Sequence, residues 1–416
     1  MKLEVVTIGT ELVLGLTVDS NGADLGRALA AAGVEIARRT TVPDRREAIR
    51  AAVAEALDRT GFVLTTGGLG PTSDDATKAV VADLFGRRLA LDEILLGSLE
   101  ARFKRLGRIP MPAANRSQAE VPEGATVLRN PRGTAPGLWL EDPLGRVAIL
   151  LPGVPREMRG LLMEEVLPRL IQRRSAGVRV VRSRTVRTTG VPESALAERV
   201  GVVEDTLAPL TLAYLPSVAG VDLRVTAWDL PPSEADSRLA EATNRLTQLA
   251  GEHSYGGDDA DLAGVVVERL RRGHQRLGVA ESCTGGLLAE RITAIPGASD
   301  IFVGGAVAYA DAVKIALLNV PLATLQAHGA VSEETVRAMA AGAQSLFAVD
   351  CTIAVTGIAG PGGGTPDKPV GTVWLGVRIG SETRAVKRVF PGDRDEIRQR
   401  AAQAGLDMLR RQLGPS

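Results

Sequence analysis

The sequence has very little histidine: only His253, His274 and His328 occur in 416 residues, and none lies inside a recognisable motif. A serine–histidine–aspartate triad or a multi-histidine metal site is therefore not expected. The two cysteines, Cys283 and Cys351, are too few for a disulfide framework or an all-cysteine zinc site. Chemistry has to come from carboxylates, hydroxyls, lysines and backbone amides.

Aromatic residues are also scarce, at 3 %, and neither sign of charge is in excess, with 49 basic and 49 acidic side chains. Few rings argue against stacking platforms for single-stranded nucleic acid, and zero net charge removes the basic field that attracts DNA. No apolar run reaches membrane-spanning length, and the first residues lack signal-peptide features. We expect a cytoplasmic protein with neither membrane nor nucleic acid as partner.

The length of the chain predicts two or three domains. Residues 1–170 alternate strand-like and helix-like segments, which predicts a doubly wound α/β domain with a parallel sheet and helices on both faces. Residues 171–256 predict a small α+β domain whose first strand begins at Val178, and residues 257–416 predict a second α/β domain. Residues 256–259 are interpreted as the linker between the last two domains.

A small polar cluster lies between a predicted buried strand and a helix in the last domain. Ser282 and Cys283 place a hydroxyl and a thiol side by side, so two nucleophiles have to be weighed. Backbone N–H groups at such a turn suit an anion or an oxyanion. The candidate donors are Thr284, Gly285 and Gly286. The alternative is that Ser282 or Thr284 only caps the following helix.

Two further segments follow strands of the same domain. Tyr309 and Lys314 come after the strand predicted at 302–308, and without a usable histidine a desolvated lysine is a base that can activate a hydroxyl. A glycine-rich loop follows the strand predicted at 351–356, and its N–H groups suit phosphate or ribose. The candidate ligand-binding residues there are Thr356, Gly357, Gly360, Gly362, Gly363 and Lys368. The alternative is a flexible surface turn with a solvated lysine.

Residues 280–287, 329–332 and 356–373 together resemble the C-terminal domain of CinA, the competence/damage-inducible protein family. The resemblance implies a nicotinamide-nucleotide amidohydrolase, which converts nicotinamide mononucleotide to nicotinate mononucleotide and ammonia. It also implies that the domain requires no cofactor and that the loop at 360–364 holds the mononucleotide.

The family motif assigns roles to single residues of this chain. Ser282 matches the nucleophile, while Tyr309 and Lys314 match its activating residues. The resemblance implies that Lys314, directly or through Tyr309, takes the hydroxyl proton. Cys283 and Cys351 are then interpreted as small buried residues.

A second polar run, residues 65–77, joins a strand to a helix near the N-terminus. Ser73 is predicted to cap that helix, with Asp74 and Asp75 in its first turn. Carboxylates that converge at strand ends favour a Mg²⁺-type phosphate site. The candidates are Glu11, Asn21, Asp44, Gly67, Gly68, Gly70, Asp74, Asp75 and Gly153. The alternative is that the two adjacent aspartates only interact with the helix dipole.

This N-terminal pattern resembles the N-terminal domain of the same family, which is similar to the molybdopterin-binding fold of molybdenum-cofactor biosynthesis proteins. The resemblance implies that Asp44 and Asp75 are metal ligands, that a divalent cation such as Mg²⁺ is the cofactor, and that the activity is that of an ADP-ribose pyrophosphatase. Leu69 replaces the hydroxyl residue typical of the molybdopterin enzymes, which counts against cofactor synthesis.

The middle segment resembles the KH-like module of this family. Its turn at 190–194 is not the GXXG clamp of RNA-binding KH domains, so we interpret the module as a spacer and dimer contact, and we expect a homodimer. The leading hypothesis is a bifunctional pyridine-nucleotide recycling enzyme acting on nicotinamide mononucleotide and ADP-ribose. The rivals are a molybdopterin-binding protein and a competence or DNA-damage factor without pyrophosphatase activity.

Overall fold

The structure, a computed structural model, describes residues 1–72, 74–173 and 179–414. By the contacts between its residues, the chain divides into a first unit, Met1–Arg182 with Ala227–Asp236, and a second unit, Ser183–Thr226 with Ser237–Ser416. None of the helices described there combines the length and the apolar content that crossing a bilayer requires.

The first unit is built on a sheet in the order β2-β1-β3-β8-β7-β6, with a separate pair formed by β4 and β5. Its strands are β1 (Lys2–Ile8), β2 (Glu35–Val42), β3 (Phe62–Thr66), β4 (Leu89–Leu91), β5 (Glu120–Pro122), β6 (Thr126–Leu128), β7 (Gly137–Glu141) and β8 (Val147–Leu151). Its helices are α1 (Thr10–Val13), α2 (Ser20–Ala31), α3 (Arg46–Thr60), α4 (Thr77–Leu84), α5 (Glu93–Arg105), α6 (Pro155–Leu161) and α7 (Leu167–Gln172).

Side chains of the central strands alternate between two cores, one on each face of this sheet. In β1, Leu3 and Val5 point to the face that packs against α2 and α6, while Val6 and Ile8 point to the face of α3 and α4. The predicted parallel sheet is confirmed for β2, β1, β3 and β8, whereas β7 and β6 add antiparallel strands that the sequence did not predict.

The middle module is a four-stranded sheet in the order β10-β11-β9-β12 with two helices. Its elements are β9 (Val180–Thr188), α8 (Glu193–Glu204), β10 (Thr211–Pro216), β11 (Val221–Leu230), α9 (Pro232–Ala250) and β12 (Ser254–Gly257). The linker prediction at 256–259 is wrong in part, because Gly256 and Gly257 pair with β9 as strand residues. The predicted strand start at Val178 lies outside the described residues.

The C-terminal domain has a mixed sheet in the order β14-β13-β15-β16-β17. Its strands are β13 (Leu277–Glu281), β14 (Phe302–Val307), β15 (Cys351–Gly357), β16 (Thr372–Ile379) and β17 (Glu382–Val389). Its helices are α10 (Leu262–Arg272), α11 (Leu287–Thr293), α12 (Asp311–Leu318), α13 (Leu322–His328), α14 (Glu333–Phe347) and α15 (Arg394–Gln412). Helices α10, α11 and α15 cover one face, and α12, α13 and α14 cover the other.

Candidate functional site

Three strand ends meet at one edge of the C-terminal sheet. Strand β13 runs parallel to both of its neighbours, β14 and β15, so that Glu281 is in register with Val307 and Val355. The Ser282 N–H donates to the Val355 carbonyl at 2.9 Å, and the Ala308 N–H donates to the Glu281 carbonyl at 2.8 Å. The polar segments that follow these three strands therefore share one edge, as expected of parallel strands.

The hydroxyl and the thiol at this edge differ in chemistry. Ser282 is 8 % exposed, and no described group hydrogen-bonds to its Oγ. Burial raises the pKa of the Cys283 thiol to about 12, so the thiol stays protonated near neutral pH and is a poor nucleophile. The interpretation of Cys283 and Cys351 as buried residues is confirmed, with 5 % and 0 % exposure.

The turn after Ser282 is held by a buried carboxylate. Glu281, 1 % exposed, accepts the N–H groups of Gly286 at 2.9 Å, Leu288 at 3.0 Å and Ala289 at 2.8 Å. The alternative in which Ser282 or Thr284 caps the helix is therefore wrong, because Glu281 does so. Sequence reasoning missed this residue, although a carboxylate ending a buried strand just before a helix is a usable signal.

Some backbone N–H groups of this turn donate to oxygens of the protein, and others have no acceptor among the described residues. Gly285 donates to the Ser282 carbonyl at 3.1 Å, and the Gly286 N–H is taken by Glu281. Both glycines have positive φ, +61° and +97°, which explains the residue type. Among the described residues, the N–H groups of Cys283 and Thr284 reach no carbonyl or carboxylate oxygen, and the buried Thr284 Oγ1 has no partner. These donors replace Gly285 and Gly286 as oxyanion candidates.

Lys314 and Tyr309 lie together, although their side-chain termini do not meet. The Lys314 amine is 1 % exposed and donates to the Tyr309 carbonyl at 3.1 Å and to Asp311 Oδ1 at 3.2 Å. The Tyr309 side chain is exposed, and its hydroxyl accepts from Arg394 Nη2 at 2.8 Å. No hydrogen bond between the side chains of Ser282, Tyr309 and Lys314 occurs in the described part of the chain.

Two arginines at the start of α15 reach the same edge. Arg394 Nη1 donates to the Gly360 carbonyl at 2.6 Å, and Arg398 Nη2 and Nε donate to the Thr284 carbonyl at 2.9 and 3.2 Å. The spacing of four residues places both on one side of the helix. Sequence reasoning missed them; the available signal is the pair of cations near a helix N-terminus, where the helix dipole disfavours positive charge.

The glycine-rich loop is anchored at its first residues and open beyond them. Thr356 Oγ1 is buried and donates to the Ala330 carbonyl at 2.7 Å. A side chain at Gly357 would lie 2.8 Å from the Thr372 carbonyl, so this glycine serves packing. Gly360 and Gly363 have positive φ, +81° and +85°.

The remaining two candidates of this loop differ in their contacts. A side chain at Gly362 would meet open space, which leaves its backbone accessible. The half-buried Lys368 does not extend freely into solvent, because its amine donates to the His328 carbonyl at 3.0 Å.

A second polar edge lies at the carboxyl ends of the first sheet. The N–H and the hydroxyl of Thr10 donate to Asp44 Oδ2 at 2.7 and 3.0 Å. The Asn21 amide donates to Thr66 Oγ1 at 3.1 Å and to the Gly153 carbonyl at 2.7 Å. Three buried oxygens here have no partner in the described residues: Asn21 Oδ1, Thr65 Oγ1 and Thr77 Oγ1. Orphaned buried oxygens of this kind favour a ligand site.

The glycines of this edge allow close backbone approach. A side chain at Gly67 would lie 2.2 Å from the Ile8 carbonyl, and one at Gly68 would lie 2.1 Å from Thr77 Oγ1. One at Gly153 would approach the Gly67 Cα to 3.5 Å. Glu11 is exposed in α1, and its carboxylate folds back towards Gly9, 2.5 Å from where a Cβ would stand.

The predicted helix start at Ser73 is not where the described helix begins. Helix α4 starts at Thr77, so Asp74 and Asp75 precede it rather than occupy its first turn, and Ser73 itself lies outside the described residues. Asp75 Oδ2 instead accepts the N–H and hydroxyl of Thr72 at 2.9 and 2.5 Å, and it lies beneath Gly70, where a side chain would come within 2.4 Å of that oxygen. Asp74 is exposed, and the neighbouring Thr72 side chain, followed by a backbone N–H donor, lowers the pKa of its carboxyl.

The donor set fits a hard cation held largely by its substrate. In the described residues, no cluster of three or more His, Cys, Asp or Glu side chains suits a metal. Asp44 and Asp75 each keep one carboxylate oxygen, Oδ1, without a protein partner there. Mg²⁺ is typically held by one or two carboxylates together with phosphates and water, and each of these aspartates offers one such oxygen.

Sequence reasoning also missed Lys78, which lies near Asp75. Its amine donates to the Ser117 carbonyl, and burial lowers its pKa to about 8, with the nearby Glu120 and Asp75 opposing that shift. The signal was a lysine directly after the glycine loop, at the start of the helix that faces the site.

Comparison with known proteins covers nearly the whole chain. Three family models match: "CinA C-terminal domain" over residues 259–413, "Probable molybdopterin binding domain" over residues 4–172, and "Damage-inducible protein CinA KH domain" over residues 183–256. A CinA-like protein of Gemmatimonas aurantiaca is 52 % identical over 411 residues, which cover 99 % of this chain and 96 % of the relative. A CinA-like protein of Salinibacter ruber is 42 % identical over 414 residues, covering 99 % and 100 %.

Two of the matching solved structures each cover less than half of the chain. A competence-damaged protein (CinA) superfamily protein from Klebsiella pneumoniae is 34 % identical and covers 36 % of this chain and 95 % of its own, with a TM-score of 0.36. The protein CinA with unknown function from Thermoplasma acidophilum is 35 % identical and covers 41 % and 97 %, with a TM-score of 0.37.

Proposed function

The chain belongs to the CinA family, and we propose that its C-terminal domain hydrolyses the carboxamide of nicotinamide mononucleotide to nicotinate mononucleotide and ammonia. The observation that carries this proposal is the buried hydroxyl of Ser282 beside the amides of Cys283 and Thr284, which all lack a hydrogen-bonding partner in the part of the chain that the structure describes. A hydroxyl next to free N–H donors is the arrangement that acyl transfer requires.

In the proposed reaction, Ser282 Oγ attacks the carboxamide carbon and its proton passes to Lys314, directly or through Tyr309. The amides of Cys283 and Thr284 stabilise the oxyanion of the tetrahedral intermediate. The proton then moves to the departing nitrogen, ammonia leaves, and an acyl-enzyme ester remains. Water hydrolyses this ester and restores the Ser282 hydroxyl. The 1 % exposure of the Lys314 amine supports its role as the base, since no histidine lies in this segment.

The mononucleotide phosphate is proposed to bind at the glycine-rich loop. The loop's exposed residues beyond Gly360 leave backbone N–H groups open to a ligand. Arg394 joins this loop to Tyr309 through its hydrogen bonds to the Gly360 carbonyl and the Tyr309 hydroxyl. A guanidinium at this position adds positive charge next to the bound phosphate.

The test is ammonia release from nicotinamide mononucleotide by the purified chain. Ser282→Ala should abolish turnover, whereas Cys283→Ala should retain most of it. The second variant is a matched control, because the two positions are adjacent and similarly buried. Lys314→Met should lower kcat by at least about 100-fold if Lys314 is the general base. Loss of turnover in Cys283→Ala together with full activity of Ser282→Ala would show that the nucleophile is wrongly assigned.

For the N-terminal domain, we propose a metal-dependent ADP-ribose pyrophosphatase in which Asp44 and Asp75 hold a divalent cation such as Mg²⁺. Within the described ranges, Oδ1 of each aspartate and the buried oxygens of Asn21, Thr65 and Thr77 have no protein partner, which supports a ligand here. The bound cation would supply charge neutralisation for the diphosphate. Asn21 and the loop amides near Gly68 would orient the nucleotide.

The corresponding assay measures AMP formed from ADP-ribose with and without EDTA. Activity that needs added metal and falls in Asp75→Asn supports the proposal. Tight binding of molybdopterin without AMP formation would favour the rival function instead. The homodimer and the cytoplasmic location stay predictions, and sedimentation equilibrium and cell fractionation test them.

A further inference from the structure

A cavity of about 680 Å³ lies within the second unit, and none of the residues proposed for the two hydrolase sites lines it. Its walls are the middle-module turns at 189–192 and 218–220, the outer part of β17, and one side of α15. A volume of this size is in the range of small-molecule and nucleotide sites.

Three arginines of this cavity have no acidic partner in the described residues. Arg384 and Arg388 lie two positions either side of Val386, so all three project from the same face of β17. Arg400 faces them from α15, and its buried Nε has no hydrogen-bonding partner among the residues that the structure describes. The cavity's own carboxylates do not cancel this charge, because two other arginines already balance them. Asp407 pairs with Arg410 at 2.7 Å and with Arg411 at 2.8 Å, and Glu252 pairs with Arg411 at 2.8 Å.

A buried amide in the same wall lacks one partner. Gln403 is 3 % exposed, and its Nε2 donates to Thr189 Oγ1 at 3.2 Å. The Thr189 hydroxyl donates its own hydrogen to the Ala219 carbonyl at 2.7 Å, so it can only accept from Gln403, which fixes the orientation of the amide. Gln403 Oε1 is left as a buried acceptor without a donor in the described residues.

These two features require different groups of one ligand. The arginines suit a multiply charged phosphate, whereas an acceptor oxygen repels phosphate and needs an N–H or O–H donor. Phe390, Pro391, Val191 and Met408 supply an apolar part of the wall, which suits a flat ring. Both the charge and the orphaned acceptor are matched by a nucleotide.

The cavity is distinct from the proposed amidohydrolase site. Arg394 and Arg398 contact that site from one side of α15, and Gln403 lies five residues beyond Arg398, about 140° around the helix axis. The two sites therefore use different faces of the same helix.

We propose that this cavity binds a nucleoside diphosphate, with the diphosphate on Arg384, Arg388 and Arg400 and a ribose hydroxyl or base N–H on Gln403. Gly190 contributes by its lack of a side chain, since a Cβ there would lie 3.3 Å from both Asp407 and Arg411. The turn that sequence reasoning treated as a spacer is then part of a binding site.

The test is calorimetric titration of the full-length chain with ADP and, separately, with inorganic pyrophosphate, in EDTA. The double variant Arg384→Gln/Arg388→Gln should weaken one binding site for both probes by at least about tenfold. Gln403→Leu should weaken the binding of ADP while leaving the affinity for pyrophosphate within about twofold of that of the unmodified chain. Lys387→Gln is the matched control, because Lys387 lies between the two arginines in sequence but on the opposite face of β17. This variant should bind ADP and pyrophosphate with unchanged affinity.

The possible outcomes separate cleanly. Absence of ADP binding to the unmodified chain, or unchanged number and affinity of sites in the arginine double variant, would overturn the proposal. Equal weakening of both probes by Gln403→Leu would overturn the assignment of the nucleoside end. Because Arg384 and Arg388 are exposed, their variants should fold normally, and neither belongs to the sites proposed for amide or diphosphate hydrolysis.

Discussion

The carboxylate of Glu281 accepts the backbone N–H of Gly286 at 2.9 Å, across the turn that carries Ser282. The same carboxylate accepts two further N–H groups from the first turn of α11. A buried carboxylate that accepts three N–H groups fixes both the start of α11 and the turn that joins Glu281 to this helix. Ser282 therefore lies in a segment whose geometry is set by the residue immediately before it.

Replacing Glu281 with glutamine should destabilise the C-terminal domain and lower turnover together. A neutral amide accepts more weakly than a carboxylate and brings buried N–H donors of its own, so we expect a loss of about 1–3 kcal/mol in the free energy of unfolding. Chemical denaturation and the kcat for nicotinamide mononucleotide measure the two effects. Glu333→Gln is the control, because Glu333 is a half-exposed first-turn residue of α14 that pairs with Arg337. A loss in Glu281→Gln no larger than the loss in this control would contradict the role given to Glu281.

The thiols should be inert in the folded protein. Burial raises the pKa values of Cys283 and Cys351 to about 12, so the thiolate is scarce at pH 8 and both sulfurs are shielded from reagent. Iodoacetamide at pH 8 should label neither cysteine in the native chain and both in urea, as measured by intact mass. Rapid labelling of Cys283 with parallel loss of ammonia release would return it to the list of nucleophiles.

Two strands of the C-terminal domain were predicted to within one residue. The strands expected at 302–308 and 351–356 are β14 (Phe302–Val307) and β15 (Cys351–Gly357), because each is a short, mostly apolar run. Strand β17 was missed because its charged residues, Glu382, Arg384, Lys387 and Arg388, fall on both faces and leave neither an apolar run nor a regular alternation. Arg384 and Arg388 of this strand also line the cavity, so the charged residues that obscured the strand pattern belong to a candidate site.

Site residues could be proposed from their position after a strand, while their hydrogen-bonding partners could not. Asp75 was expected in the first turn of a helix and instead bonds back to Thr72, since either arrangement satisfies a carboxylate in this run. Gly286 was expected to donate to an oxyanion and instead donates to Glu281. Local sequence names the donors and acceptors of a turn, but only the folded backbone decides which of them pair.

Arg398 and Arg394 should affect different kinetic constants. Arg398 donates twice to the Thr284 carbonyl and acts through that turn, so Arg398→Gln should lower kcat about tenfold with little change in KM. Arg394 contacts Tyr309 and the glycine-rich loop, so Arg394→Gln should mainly raise KM.

Steady-state assays with nicotinamide mononucleotide separate these effects. Arg272→Gln serves as the control, because Arg272 is a surface residue paired with Glu268 on α10. If kcat falls and KM rises by similar factors in all three variants, the changes reflect general destabilisation, and the separate roles given to Arg398 and Arg394 are wrong.

Lys78 should make the stability of the first unit depend on pH. Burial lowers its pKa from 10.5 to about 8, so between these values the unfolded chain keeps a proton that the folded chain has released. The stability relative to Lys78→Met should therefore rise with pH from about 8 to 10.5, by about 3 kcal/mol at most, and be lowest below pH 8. Scanning calorimetry at pH 7.5 and pH 10 measures the difference. Lys104→Met, at an exposed position on α5, is the control and should show no such trend. If the difference in the free energy of unfolding between the unmodified chain and Lys78→Met does not change across this pH range, the Lys78 amine keeps its proton in the folded chain and the prediction is wrong.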